Sequence, residues 1–464
     1  MARLIIAAGS MGVLSVGITW LILLLFDSLH IFGGSTFQTI FVFGFYTYCV
    51  AVLIIPSAHK AFYVLSMPVL SQFLHLFQKY DFPAGANSLW RLLPFLLGDF
   101  YMLSVLVRFK TDLSDIEKSL IASWVAFNFL AIAISPNLAG IITGAFTLFL
   151  VTIPLYFLYL SILSQHPSFP ATLERSLCLT FILLALGTFG LVYFGAQYKG
   201  ASNLLVTRNI SDTNITMAYF ILLWPFAIGY AMRSACSWLA APLLILLFLL
   251  VVILSFSRGA VFIVLPYLVA SIWIVSNWKQ MLWLMVPAAI LSVGFDSLVT
   301  FINPDLAYSW QLRFADFRTV GPSLRNIQEA SGRAEIQRLA YELFLESPIY
   351  GHGTGSFEML GPGYREAHSM FFTILAEHGL IGILYLYGLF AALGYGLFKT
   401  TSPPCRILLV ALSVYLVFVH SVGYAFVIIP AKSLTINCVA PVLLICIYCY
   451  SKSIGNYPGP TAHG

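Results

Sequence analysis

Charge is what this chain has least of. Only 9% of its 464 residues are Asp, Glu, Lys or Arg, where a soluble globular domain carries about 25%. That shortage argues against a water-soluble fold, and no nucleic-acid partner is expected. The ten-residue apolar/polar alternation of a spanning barrel is missing as well. Cysteine is sparse. Seven are present, none in the long polar stretches, which argues against a disulfide framework or a thiolate metal site. No nucleotide-binding domain and no repeat of 20–50 residues is visible.

What the chain has is apolar length. Hydrophobic residues make up 60% and the mean hydropathy is +0.92. Runs of about twenty apolar residues, the length a bilayer-crossing helix needs, recur from end to end. The fold class is therefore all-α, a polytopic integral membrane protein of about 12–14 transmembrane helices. The spans are expected at 4–26, 36–56, 61–79, 88–107, 117–135, 138–163, 174–195, 215–232, 238–256, 259–277, 281–300, 369–397, 405–428 and 432–450. The first is read as a retained span rather than a cleaved signal.

Two polar stretches, 196–214 and 301–367, interrupt the spans. The organisation is accordingly 1–195, N-terminal helices; 196–300, helices that include the turn Ser255–Ala260; 301–367, a long loop; and 368–464, C-terminal helices. With the N-terminus inside, short loops place eleven Lys and Arg inside and six outside, which fits the positive-inside rule. Both polar stretches then face outward.

Within the long loop, "SGRAEIQRLAYELFLESP" predicts an amphipathic helix. Ile336, Leu339, Leu343 and Phe344 share one face, and Pro348 follows the end. It is expected to lie along the outer membrane face. Arg333 falls in the first turn, where the helix dipole disfavours a cation and an anion would suit both.

Three residues could carry chemistry. Arg258 lies in the tight outer turn "LSFSRGA", against the positive-inside bias. Either it snorkels to headgroups or it binds an anion, since its planar fork suits phosphate oxygens. Arg333 is either a solvated surface charge, with Glu329 or Glu335 near enough to pair with it, or a second anion contact. His368, where the loop enters span 369–397, is either a structural interfacial histidine or a general base. Glu377 reads as an internal hydrogen-bonding group rather than a partner of His368. "YGHGTGSF", Tyr350–Phe357, suits a tight turn or backbone amides near an anion; it is not a Walker loop. No spacing supports a metal site at His352 and His368. Tyrosine and tryptophan read mostly as interface belts.

Four stretches in order resemble the O-antigen ligase and O-antigen polymerase superfamily: "RNISDTNITMAYFILLWP", "SFSRGA", "SGRAEIQRLAYELFLESPIYGHGTGSF" and "AHSMFFTILAEHGLIG". The last resembles the family's His-Asn entry and its Ala-Glu-x-Gly-Leu-x-Gly continuation, with Ser369 standing where the family often has Asn. The resemblance implies a GT-C-like membrane glycosyltransferase in the bacterial inner membrane, with its active site on the periplasmic side. It implies no metal, cofactor or nucleotide sugar. The donor would be a glycan on undecaprenyl pyrophosphate, and the acceptor a glycan or lipid A–core. Arg258 and Arg333 would hold the pyrophosphate, His368 would deprotonate the acceptor hydroxyl, and Arg208 and Lys199 would be secondary substrate contacts. Polymerase and ligase stay open. So does a different class, a transporter of an anionic or lipid-linked substrate.

Overall fold

A computed structural model of the chain describes residues 47–50, 57–71, 89–109, 112–193, 213–234, 236–255, 257–287, 289, 297, 300, 333–361, 367–400, 402–421 and 439–456. Lys199 and Arg208 lie outside the described residues, as do the span expected at 4–26, most of 36–56 and half of 281–300.

In hydrocarbon every backbone polar group must be satisfied within the protein, and a helix does this within one segment. Among the described residues there are helices and no strand. In chain order they are α1 (Ser57–Leu70), α2 (Leu89–Arg108), α3 (Asp115–Ala133), α4 (Leu138–Leu163), α5 (Phe169–Tyr193), α6 (Thr213–Arg233), α7 (Ser237–Leu254), α8 (Arg258–Val275), α9 (Trp278–Leu284), α10 (Arg333–Glu346), α11 (Ser356–Leu360), α12 (Met370–Lys399), α13 (Pro403–Ser421) and α14 (Val439–Asn456). Six of them (α3, α4, the 169–188 part of α5, α7, α12 and α13) are long and apolar enough to cross a bilayer. The protein is all-α and multi-pass.

Side-chain contacts sort the helix ends into two sets. At one end Glu174, near the start of α5, meets Arg233 at the end of α6 and Tyr450 of α14. Lys452 of α14 bonds Glu117 in the first turn of α3 at 2.7 Å. A cleft of about 430 Å³ at this end brings Val275, the last residue of α8, together with Pro403, the first of α13. So α8 and α13, which pack together, run antiparallel. The opposite end of the bundle therefore carries the start of α8 and the end of α13. Tyr267 bonds the Ile221 carbonyl at 3.0 Å and Trp224 bonds Ser271 at 2.7 Å, so α6 runs parallel to α8.

Two expectations need correction. Among the described residues the tyrosines and tryptophans are not all belts. Tyr156, Tyr219, Tyr267, Tyr415 and Trp224 are fully buried in the core, because a tyrosine hydroxyl or indole N–H can bond a helix carbonyl or hydroxyl inside, as Tyr156 does with the Val64 carbonyl at 2.5 Å. Trp238, Trp273, Trp278 and Trp283 do stay exposed around the Val275 end. The second concerns the cysteines, whose placement argued against a thiolate metal site: Cys446 and Cys449 do stand in a C-x-x-C spacing. Both are buried within α14 as free thiols, away from the chemistry described below.

Candidate site at the start of α12

The "LSFSRGA" stretch folds as expected, into a tight connection between α7 and α8. Ser255 caps α7 through the Val252 carbonyl at 2.6 Å and receives the Ser257 amide at 3.2 Å. Ser257 is the N-cap of α8, accepting the Ala260 amide at 3.1 Å. Arg258 is thus the first residue of α8, at the end of the bundle opposite Val275.

Arg333 is likewise the first residue of its helix, α10. Its Nη1 donates to the Ser421 carbonyl, 3.2 Å away, at the last residue of α13. A guanidinium on a terminal helix carbonyl satisfies one of the acceptors a helix end leaves open. The antiparallel pairing of α8 and α13 puts Ser421 and Arg258 at the same end. The apolar face of α10 packs inward: Ile336 and Ala340 are buried against Phe357, Ala367 and Ala376, with Leu343 and Phe372 alongside. The expected surface helix is therefore docked on α12.

The run 369–397 reads as one straight span, but the structure bends it. Gly379 has φ 58 and ψ −155, which is not helical. Phe371 and Tyr387 are sixteen residues apart, about 24 Å along a straight helix, yet their ring centroids lie 6.3 Å apart. The chain doubles back at Gly379, so α12 consists of a short first limb, 370–378, and a long second limb, 380–399. The bend is built by the glycines of "YGHGTGSF". His352 and Gly353 donate their amides to the Ala376 and Glu377 carbonyls at 3.1 and 2.7 Å, and Leu380 and Ile381 donate to the Pro348 and Ile349 carbonyls at 2.9 and 3.1 Å. This backbone-on-backbone contact leaves no room for side chains: a Cβ on Gly351 would lie 2.4 Å from the Glu377 carbonyl carbon, and one on Gly379 would lie 2.6 Å from the Ile349 carbonyl oxygen. Both residues have positive φ.

The acceptor beside those loop amides is the protein's own. The side-chain carboxyl group of Glu377, fully buried, accepts the Gly355 amide at 3.0 Å and the Phe357 amide at 3.2 Å. Glu377 is an internal hydrogen-bonding group, as its sequence position suggested.

His368 precedes the first limb. Its φ is 49, and it is the one non-glycine positive φ among the described residues. Such a backbone costs free energy and persists where the surroundings over-determine it. Here Thr373 does so: its hydroxyl accepts the Ala367 amide at 3.3 Å and donates to the Ser369 carbonyl at 2.8 Å, tying down both neighbours of the histidine. Three residues on, the Phe371 ring lies 6.4 Å from His420, which directly precedes Ser421, the partner of Arg333. The segments carrying His368 and Arg333 thus meet at the end of α13. His352, by contrast, is taken up within the loop, its Nε2 2.9 Å from the Leu343 carbonyl. Among the described residues no three His, Cys, Asp or Glu side chains are grouped to hold a metal.

Thr373, Tyr387 and His420 escaped the sequence reading. Each is a common residue within an apolar run, and only the fold-back brings them together. No curated protein matches the chain. Residues 243–387, from within α7 to the second limb of α12, match the protein family described as O-antigen ligase. That stretch contains Arg258, Arg333, His368 and the whole Gly379 bend, so over these residues the chain, a multi-pass membrane protein, is similar to the O-antigen ligase family.

Proposed function

We propose that this protein is a metal-independent glycosyltransferase of bacterial surface-polysaccharide synthesis. It acts at the periplasmic face of the inner membrane and has a GT-C-like architecture, with residues 301–367 as its periplasmic segment. The donor is a glycan on undecaprenyl pyrophosphate; the acceptor is a hydroxyl of another glycan or of lipid A–core. The observation that carries the reading is the convergence of three helix starts, those of α8, α10 and α12, on one end of the bundle, with Arg258, Arg333 and His368 at or just before them. The family match supports an enzymatic role of this kind.

In this reading Arg258 and Arg333 hold the pyrophosphate and offset the charge that builds on it as it leaves. His368 takes the proton from the acceptor hydroxyl. The hydroxyl oxygen bonds the anomeric carbon as the bond from that carbon to the pyrophosphate oxygen breaks, with inversion if this is one in-line step. Lys199 and Arg208 make secondary contacts with phosphate or glycan.

The test is glycan transfer by purified protein supplied with the lipid-linked glycan of the native host. Arg258→Ala, Arg258→Lys and His368→Ala should each reduce transfer by about 100-fold or more with protein level unchanged; lysine keeps the charge but loses the fork. Transfer at the wild-type rate by the two Arg258 variants removes that residue from the site, and the same result for His368→Ala removes the base. Transfer without a second compartment separates an enzyme from a transporter. In cells, single-repeat products after gene loss identify a polymerase; a long chain left on its carrier identifies a ligase.

A further inference from the structure

His420 is half-buried and bonded through both ring nitrogens. Its Nδ1 lies 2.5 Å from the Leu416 carbonyl, one turn back in α13. A carbonyl can only accept, so Nδ1 carries the proton. The Nε2 is then an acceptor, and its neighbour is the hydroxyl of Tyr387, on the second limb of α12, which must donate. The imidazole is thereby fixed in one tautomer and one orientation by two different helices.

Phe371, on the first limb, completes the arrangement. The Tyr387, His420 and Phe371 centroids lie 5.5, 6.3 and 6.4 Å apart pairwise. Phe371 follows His368 by three residues, and Ser421, which takes the Arg333 guanidinium, follows His420 directly. One point of α13 is therefore linked on one side to the segment bearing the histidine and on the other to the arginine.

We propose that the Tyr387–His420 pair is the positioning element of the site. It fixes the first limb of α12 against the end of α13, and so sets His368 and Arg333 in register with each other. This rests on the glycosyltransferase reading above. Neither residue touches substrate in this account. Both act through Phe371 and Ser421, so their loss should slow the chemical step without weakening donor binding.

The experiment compares Tyr387→Phe, His420→Phe and His420→Gln with wild type and His368→Ala, using the same purified transfer assay and a melting temperature for each. Tyr387→Phe keeps the ring and loses only the donor. His420→Phe keeps a ring and loses the acceptor. His420→Gln offers an amide oxygen that can accept from Tyr387. Tyr387→Phe and His420→Phe should lower kcat by about five- to ten-fold, the scale of one lost hydrogen bond, with KM for the lipid-linked donor and the melting temperature unchanged; His420→Gln should recover most of the rate. Wild-type kcat in Tyr387→Phe and His420→Phe, beside an inactive His368→Ala, overturns the positioning role and leaves the site reading intact. Losses that follow the melting temperature, or that His420→Gln fails to recover, also overturn it, in favour of packing alone. An active His368→Ala overturns the site reading, and this inference with it.

Discussion

Glu377 accepts the backbone amide of Gly355 at 3.0 Å, across twenty-two residues of chain, from a fully buried position within the family-matched segment. A carboxylate there acts as a fastener for the loop. Removing it should unfasten two buried amides at once. Glu377→Ala is expected to cost about 2–4 kcal/mol, because a buried donor left unpaired forfeits its full desolvation cost. Glu377→Gln, which keeps one acceptor oxygen, should cost less. Denaturation in detergent measures both.

Gly379 and Gly351 face each other's backbone with positive φ and no space for a Cβ. Gly379→Ala and Gly351→Ala should each yield little folded protein. Gly388→Ala, further along the same helix with nothing within 4 Å of the added carbon, should be tolerated, gaining slightly from helix propensity. Expression and monodispersity on size exclusion report the difference.

Thr373→Val keeps shape and removes the hydroxyl that ties Ala367 to Ser369. It should destabilise by about 1–2 kcal/mol and lower transfer by about ten-fold as His368 loses its fixed backbone. Thr373→Ser, which retains the hydroxyl, should stay within about two-fold of wild type. Rates from the transfer assay, set beside melting data, separate the two effects.

At the other end of the bundle, Glu117 is buried and closes a capping box with Ser114 while bonding Lys452. Lys452→Met should destabilise by about 1–3 kcal/mol, less than a fully enclosed pair would lose, since the lysine is partly exposed. Adding Glu117→Gln should return part of that loss. A double-mutant cycle reads the coupling, and transfer kinetics should stay at wild type throughout.

Much of this was legible from residue order. The apolar runs located the six helices long enough to cross a bilayer among the described residues, since a helix is the one segment that can enter hydrocarbon alone. The periodicity of Ile336, Leu339 and Leu343 placed α10 within two residues at each end. Arg258, Arg333 and His368 stood out because charge and imidazole are rare in such surroundings. The bend at Gly379 was not legible: the run 369–397 stays apolar through it, and hydropathy carries no direction. Thr373, Tyr387 and His420 were hidden for a related reason. Their roles come from partners that the doubling-back delivers, and a hydroxyl or ring inside an apolar run looks the same whether it faces a neighbour or lipid. Arg258 was placed by topology, its helix start being fixed by Ser257.

The return of the chain at Gly379 also acts as a depth gauge. Because the first limb runs back beside the second, the number of residues between Met370 and Gly379 sets how far from the bend the limb begins, at about 1.5 Å per residue. Inserting one residue there would shift the start of the limb, and the His368 segment joined to it, by that step and turn it by about 100°.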